Sequence, residues 1–470
     1  MKKIILSSFL LGLSLSSFAY KHISDVNTNG AVSSGDDRAA GCESPTDKIF
    51  LEFNNVRAAV ETGGLMWSDR AEGASDYIVP KNQTSGVIYA GALWMGGEDI
   101  NGQLKLAAQR FGSGRDFWTG PLSTFGGQAG NYVQGAIQEA SFEVTRSYGD
   151  AEIIPEECNK WDKFYTIRKS EVQQFIAYWN CENGVTPAED CDEILSNPLS
   201  QEVLNRIINW PAHGDESLGQ DKYLAPFYDN PNADAGANGT YDPINDGDYP
   251  WYDLNKEIDC QSSRTVTLFG DETLWWVMND KGNIHTETGG DPIGMEIRSQ
   301  AFAFATNNEI NNATFYNYEL VNRSTQTLYN TYFGLMVDVA LGGPNDDYVG
   351  CDVTKNLGYC YNGDDNDGGG SGVKGFQNHP PAQGVTFLKG AKQDNDGLAN
   401  NFGVNTNETI NGLGFGDAIV DNEHWGMENF ISYSIGSGQF FGDGDPYNKN
   451  GYYSYIRGSW RDSTQMVWGG

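Results

Sequence analysis

The sequence predicts a mainly β protein, an antiparallel β-sandwich domain or domains carrying a small helical insertion and acidic loops rich in Asp, Asn and Gly. Three observations predict it. Residues 270–341 hold the densest run of β-formers in the chain, GDETLWWVMNDKGNIHTETGGDPIGMEIRSQAFAFATNNEINNATFYNYELVNRSTQTLYNTYFGLMVDVAL, and β-branched and aromatic residues favour strands because they fit a pleated, half-buried surface. Within that run the period is two: Tyr316, Tyr318 and Leu320 fall on one face, Phe315, Asn317, Glu319 and Val321 on the other, as a half-buried antiparallel strand requires. Turn residues punctuate it, with Asp280-Lys281-Gly282-Asn283 expected to close one hairpin and Asn307-Asn308 with Asn311-Asn312 to bracket another.

The elements follow in order. The chain of 470 residues opens with Met1-Lys2-Lys3, an apolar run over 4–15 and Ser17-Phe18-Ala19, the basic, apolar and small-residue regions of a signal peptide spanning 1–19. That run is too short to span a bilayer, and no later segment offers the ~20 apolar residues that spanning needs. Residues 20–48, poor in apolar side chains, read as a disordered or extended leader. A first β unit is expected over 49–155, where 86–95 and 103–111 form strands joined by a turn containing Asn101-Gly102. Over 156–228 the period becomes helical. Val172, Phe175, Ile176 and Trp179 recur at helix spacing behind a capping box of Ser170 and Gln173. A second helix is expected over about 201–209, with Ser200 as N-cap, Val203, Leu204, Ile207 and Ile208 as its buried stripe and Pro211 ending it. An acidic loop occupies 229–260, and a β-sandwich region runs over 261–470.

The formal charge of −33 makes nucleic acid and anionic membranes poor partners. It solubilises the surface, and where Asp clusters with Asn and Gly in loops it also suits divalent cations. Seven cysteines in an exported chain suggest disulfides with one thiol left over. Cys181 with Cys191 and Cys351 with Cys360 would each close a short loop, and Cys158 could pair with Cys260 at long range, leaving Cys42 in the leader arm. A zinc site is disfavoured, since there is neither a CxxC nor a cysteine–histidine cluster.

Two acidic segments are candidate metal sites. DAGANGTYDP followed by DGDYP resembles the DxDxDG calcium loops of thrombospondin type 3 and dockerin repeats, in which alternate oxygen-bearing side chains wrap the ion. The ligands would be Asp234, Asn238, Asp242 and Asp248 by side chain and Thr240 by its carbonyl; Gly236 in the third position and Asn245 in the twelfth depart from the pattern. The competing reading is a loop of Asx turns. The second segment gathers Asp346, Asp347, Asp352, Asp364, Asp365 and Asp367 around the proposed Cys351–Cys360 loop, and these carboxylates repel one another without a cation. Calcium is the cofactor expected.

His213, Asp215 and Ser217 lie within WPAHGDES, but triads are assembled in space and rarely from sequence neighbours, so His213 reads as a turn histidine. His285 reads the same way. GSGVKG over 370–375 matches GxGxxG formally, yet it follows an acidic loop where a nucleotide phosphate would be repelled. Twelve Trp, 24 Tyr and 23 Phe are expected to lie mostly in the core, because Trp275-Trp276, Phe302 and Phe304 fall inside strands. Any left exposed could stack on sugar faces, and paired carboxylates could hydrolyse glycosidic bonds.

NNVRAAVETGGLMW (54–67), ALWMGG (92–97), LKLAAQR (104–110), DFWTGP (116–121), NWPAHGD (209–215), LWWVMNDKGNIHTETGGDPIG (274–294) and DDYVGCD (346–352) resemble a family of large secreted proteins of Bacteroidota. Members of that family typically end in a C-terminal sorting domain for type IX secretion. The resemblance implies surface display by the export machinery, further β domains and a sorting signal beyond Gly470, and no particular reaction; the chain looks like the N-terminal portion of such a protein. The expected function is a secreted or cell-surface structural and adhesive module stabilised by calcium loops and disulfides. It is read as binding rather than catalytic, with an extracellular glycan or cell-surface component as partner. The alternative is a carbohydrate-binding module or a glycan-active enzyme.

Overall fold

The computed structural model describes residues 40–112, 114–124, 151–233, 236–254, 267–369, 374–401, 411–433 and 444–466, with the backbone of 128–134 and 144–148. The signal peptide, the leader up to residue 39, Asp234, Cys260, residues 370–373 of the glycine motif and Trp468 lie outside the described residues.

Strands Lys48–Leu51 (β1), Arg57–Glu61 (β2), Tyr77–Ile78 (β3), Gly86–Glu98 (β4) and Leu104–Ala108 (β5) come first. Trp118–Thr119 (β6), Tyr165–Arg168 (β7), Glu272–Asn279 (β8), Met295–Ala303 (β9), Phe315–Asn322 (β10) and Tyr329–Val339 (β11) complete two antiparallel sheets. Asp347–Asp352 (β12), Leu357–Asn362 (β13) and Ala382–Thr386 (β14) form a third. The helices are Pro155–Lys160 (α1), Lys169–Glu182 (α2), Asp192–Ser196 (α3), Gln201–Ile208 (α4) and Lys449–Ile456 (α5). The six-stranded sheet runs β1-β2-β3-β4-β11 with β5 also on β4, and the five-stranded sheet runs β7-β8-β9-β10 with β6 also on β8.

These two sheets face one another. Val60, Met66 and Ile88 of the first meet Leu274, Trp276 and Ala301 of the second, and further along Leu93 and Met95 meet Met278 and Ile297. The predicted sandwich is therefore present, but both outer faces are covered as well. Trp275, Val277 and Ile167 on the back of the five-stranded sheet pack against Val172, Phe175, Ile207 and Trp210 of the helical insertion. Ala92, Trp94 and Met336 on the back of the six-stranded sheet pack against Tyr452, Tyr453 and Tyr455 of α5. Every residue of β8 and β9 is buried in consequence. Neighbours Trp275 and Trp276 enter different cores, which accounts for an apolar run without alternation.

Local signals hold where they are self-contained. Ser200 caps α4, its Oγ accepting from Val203 N at 3.3 Å. Gly102 takes φ 74° in the β4–β5 turn, where the Asp99 carboxylate accepts from Asn101 N and Gln103 N at 2.9 Å each. Other expectations are corrected. The first helix begins earlier than the Ser170 box, directly after β7: Arg168 is its N-cap, and the Glu171 carboxylate accepts from Arg168 N at 3.1 Å. Asp280-Lys281-Gly282-Asn283 closes no tight hairpin; a loop over 280–294 joins β8 to β9, held because the buried Asp280 carboxylate accepts from Ile293 N, Gly294 N and Met295 N. Helix α5 was not expected from its tyrosine-rich sequence; Asn448 caps it, accepting from Gly451 N at 3.0 Å.

Cysteine pairing is corrected in two places. Cys181–Cys191 is bonded as expected, but Cys158 bonds Cys42, which is buried beside Trp118 and Leu122 instead of lying in a free arm. Cys351 and Cys360 are free thiols. Their strands do pair, yet Cys360 sits opposite Val349 and Cys351 opposite Gly358, so the two cysteines are diagonal neighbours, about 7–8 Å apart at Cα by strand geometry and beyond the usual disulfide span. Peptide mapping under non-reducing conditions is expected to find 42–158 and 181–191 linked. Native alkylation should label the half-buried Cys351 before the buried Cys360, which reacts only on unfolding.

A buried ion network joins the helical layer to the sheet. Arg298, 4 % exposed, donates to Glu296 at 2.7 Å and to Asp221 at 2.8 Å, while the fully buried Arg323 donates to Asp221 and to the carbonyls of Leu122 and Gly219. Leu122 N in turn donates to Glu296 at 2.8 Å. Removing one guanidinium strands carboxylates already out of water, so Arg298→Met is expected to cost about 3–5 kcal/mol in denaturant unfolding.

Candidate functional site

The first acidic loop is folded around carboxylates that accept backbone N–H groups. Asp229, 4 % exposed, accepts from Asn238 N and Gly239 N. The fully buried Asp248 accepts from Asn230 N and Asp242 N at 2.8 Å each. Asp242 accepts from Ile244 N, Asn245 N and Asn245 Nδ2, and these bonds hold its carboxyl below the usual range. Asn238 Oδ1 accepts from Thr240 N while its amide donates to Asp246. Gly247 at φ 74° lies against the Trp179 ring, where a Cβ would approach to 2.6 Å. These hydrogen bonds hold the described part of the loop. The structure brings Asp242 and Asp248 together through a backbone N–H and leaves Asn238 with Asp246.

The second segment is divided. Asp367 is buried and accepts from Gly343 N, Gly369 N and Phe376 N, tying the strap after β13 to the end of β11. Asp347 Oδ2 accepts from Leu341 N at 2.9 Å, and Asp346 accepts from Asn362 Nδ2 at 3.2 Å. Asp364 and Asp365 are exposed, Asp364 accepting from Asn366 N and Asp365 using its carbonyl for His379 N. Asp352 accepts from Thr354 and Lys355 at the far end of β12. Two buried oxygens, Asp347 Oδ1 and Asn362 Oδ1, have no hydrogen-bond donor among the described residues. Those residues are directly opposite in the β12–β13 ladder, and Asn362 is 8 % exposed. Asn362 was not among the expected ligands; its place opposite an Asp depends on strand register. Among the described residues no group of three or more His, Cys, Asp or Glu is arranged to hold a metal ion.

The two histidines that the sequence singles out, His213 and His285, are committed to the frame. His213 Nε2 accepts from Tyr241 N at 2.9 Å and Nδ1 faces the Lys222 carbonyl at 2.7 Å, and burial pushes its pKa down. Asp215 caps a short turn by accepting from Ser217 N and Oγ, so WPAHGDES forms no His–Asp pair. His285, fully buried, has a ring nitrogen 2.8 Å from the Leu106 carbonyl and the other 2.7 Å from the Asp280 carbonyl.

The surface carries two features that residue types alone did not reveal. One is a cleft of about 460 Å³ lined by Thr286, Glu287, Thr288, Tyr447, Asn448 and Lys449, where Glu287 receives Arg110 and the Tyr452 hydroxyl. The other is the outer face of the small sheet. Cys360 and Val385 on its inner face join the main core, while Tyr348, Tyr359 and Tyr361 on its outer face are 58 %, 36 % and 46 % exposed. Tyr348 lies opposite Tyr361, with centroids 5.9 Å apart and planes 23° apart; Tyr359 follows at 6.2 Å and 31°. The sequence signal was Tyr359-Cys360-Tyr361, a period-two alternation that marks one face but not which face is wet.

Burial, with like charge nearby, pushes the carboxyls of Asp248 and Asp347 up to about 6. An acid whose pKa is higher folded than unfolded contributes stability that is present below its unfolded value and lost as pH rises through about 6. In chelator, Asp347→Asn is therefore expected to gain stability relative to the parent above pH ~7, with the gain shrinking as pH falls through about 6 and gone only below the unfolded carboxyl's pKa of ~4, as read by calorimetric melting across the pH range. The chain matches no protein-family model, no curated protein and no solved structure.

Proposed function

We propose that this chain is an exported structural and adhesive module that binds through an exposed sheet face and performs no reaction. The observation that carries the reading is the tyrosine row on β12 and β13. Its rings stand in solvent on strands whose opposite side is fastened into the core by Cys360 and Val385. Large aromatic side chains on a rigid support supply contact area at little cost in conformational entropy. Two disulfides fit an oxidising compartment. No described helix is long and apolar enough to cross a membrane. The signal-like N-terminus and the resemblance to secreted Bacteroidota proteins add to the same reading, with type IX export as the route.

Calcium belongs to the proposal at the second acidic segment, where Asp346, Asp347 and the unpartnered Asn362 Oδ1 would hold it. Bound there it would offset repulsion among Asp346, Asp347 and Asp367. The expected result is a melting temperature higher in calcium than in chelator, with the difference abolished in Asp347→Asn; coincident melts of the parent would remove calcium from the account. For adhesion, the whole chain is expected to be retained by sedimented bacterial and algal cell-envelope particles. The triple variant Tyr348→Ala, Tyr359→Ala, Tyr361→Ala should lose retention with its melting temperature unaltered. Undiminished retention of that variant would overturn the assignment of this face.

A further inference from the structure

The geometry of the tyrosine row points to its ligand: we infer that Tyr348, Tyr361 and Tyr359 form a stacking platform for a neutral, extended polysaccharide. This rests on the adhesive reading and adds the chemical class of what is bound.

The rings lie over the sheet instead of standing away from it. A Cβ built on Gly350 would come within 2.7 Å of the Tyr359 ring, and one on Gly363 within 2.8 Å of the Tyr348 ring. Each ring therefore covers a residue without a side chain. On the third strand, Ala382 lies opposite Tyr361 and Gly384 opposite Tyr359, so nothing tall rises beside the rings on that side. The plane of Tyr361 lies 23° from that of Tyr348 and 31° from that of Tyr359, at centroid spacings of 5.9 and 6.2 Å. A sugar ring with equatorial hydroxyls presents a flat face of axial C–H groups, which a π face receives, while phenol hydroxyls at the ring edges can exchange hydrogen bonds with sugar hydroxyls. One ring binds one sugar face. A row at near-pyranose spacing binds successive sugars of a chain, and its flatness suits an extended ribbon better than a branched or coiled glycan.

Exposure separates this row from the ordinary use of aromatics in the protein. No described tryptophan or phenylalanine is exposed. Five described tyrosines are, and three of them are these. Charge chooses among ligands with flat faces. Bases also stack on tyrosine, but a chain of net charge −33 repels phosphates and uronates alike. A neutral glycan incurs no such repulsion.

The test is affinity electrophoresis of the whole chain in native gels containing hydroxyethyl cellulose, laminarin or polygalacturonate, each compared with a gel lacking polysaccharide. Retardation is expected in a neutral glycan, little changed by added salt, and none in polygalacturonate. Removing the central ring with Tyr361→Ala should weaken binding about tenfold, in keeping with the worth of an aromatic contact. Tyr361→Trp should retain binding, and the triple alanine variant should show none. Equal melting temperatures exclude unfolding as the cause, and Tyr329→Ala, which removes an exposed tyrosine outside the row, should migrate as the parent. Retardation only in polygalacturonate overturns the inference. So does retardation in a neutral glycan that survives the triple substitution. If no glycan retards the chain while the triple variant still loses its retention on envelope particles, the adhesive face stands and its ligand is a protein. If neither assay responds to the three tyrosines, both readings fall together.

Discussion

Two guanidinium groups held inside the protein set the terms for the rest of the architecture. Arg298 and Arg323 are 4 % and 0 % exposed, and the carboxylates that balance them come from different parts of the chain: Glu296 from β9 itself and Asp221 from the segment behind the helical insertion. Charges taken out of water incur a desolvation penalty that only close, fully hydrogen-bonded partners offset. The network is satisfied only when the helices sit on the back of the five-stranded sheet. It therefore specifies where the insertion docks more than it adds to net stability. The same bonds reach Leu122 and Gly219 and so draw in the segment stapled by Cys42–Cys158.

That docking explains why the centre of the sequence has no simple period. Strands β8 and β9 are the middle of a stack of helices, sheet, sheet and helix, and each face of β8 has its own core. A strand wet on one side alternates; one buried on both cannot. β10 lies nearer the margin. Tyr316, Tyr318 and Leu320 turn into the sandwich, and there the period-two reading of the sequence holds. The polar residues on the hidden faces, Arg298, Gln300 and Glu296, are tolerated because the helical layer and neighbouring loops meet them with charges and carbonyls.

Acidic residues in this chain serve backbone organisation before they serve any ion. Asp229, Asp248, Asp280 and Asp367 are each buried and each collects two or three N–H groups from loops that lack ladder partners. A carboxylate can satisfy several donors at once, and a loop that buries its backbone must find such acceptors. The segment at β12 and β13 differs because two oxygens there have no donor among the described residues. The small sheet consequently has a wet aromatic face and, beneath it, an inner face at which acidic groups converge, so that the platform and the proposed calcium site share one support.

What the sequence determined by itself is what depends on near neighbours along the chain. The β-rich class, the Ser200 cap, the Asn101-Gly102 turn, the Cys181–Cys191 staple and the commitment of most aromatics to the core all follow from local dihedral preference, short loops and side-chain hydrophobicity. The tertiary structure alone decided the pairing of β11 with β4, the union of Cys42 with Cys158 and the offset that keeps Cys351 from Cys360. It also decided which side of β13 faces water. Each of these is a choice of partner across long stretches of chain, made by mutual burial and register. Because a strand's side chains alternate with a period of two, a change of one residue in register would have turned Tyr359 and Tyr361 inward and Cys360 out.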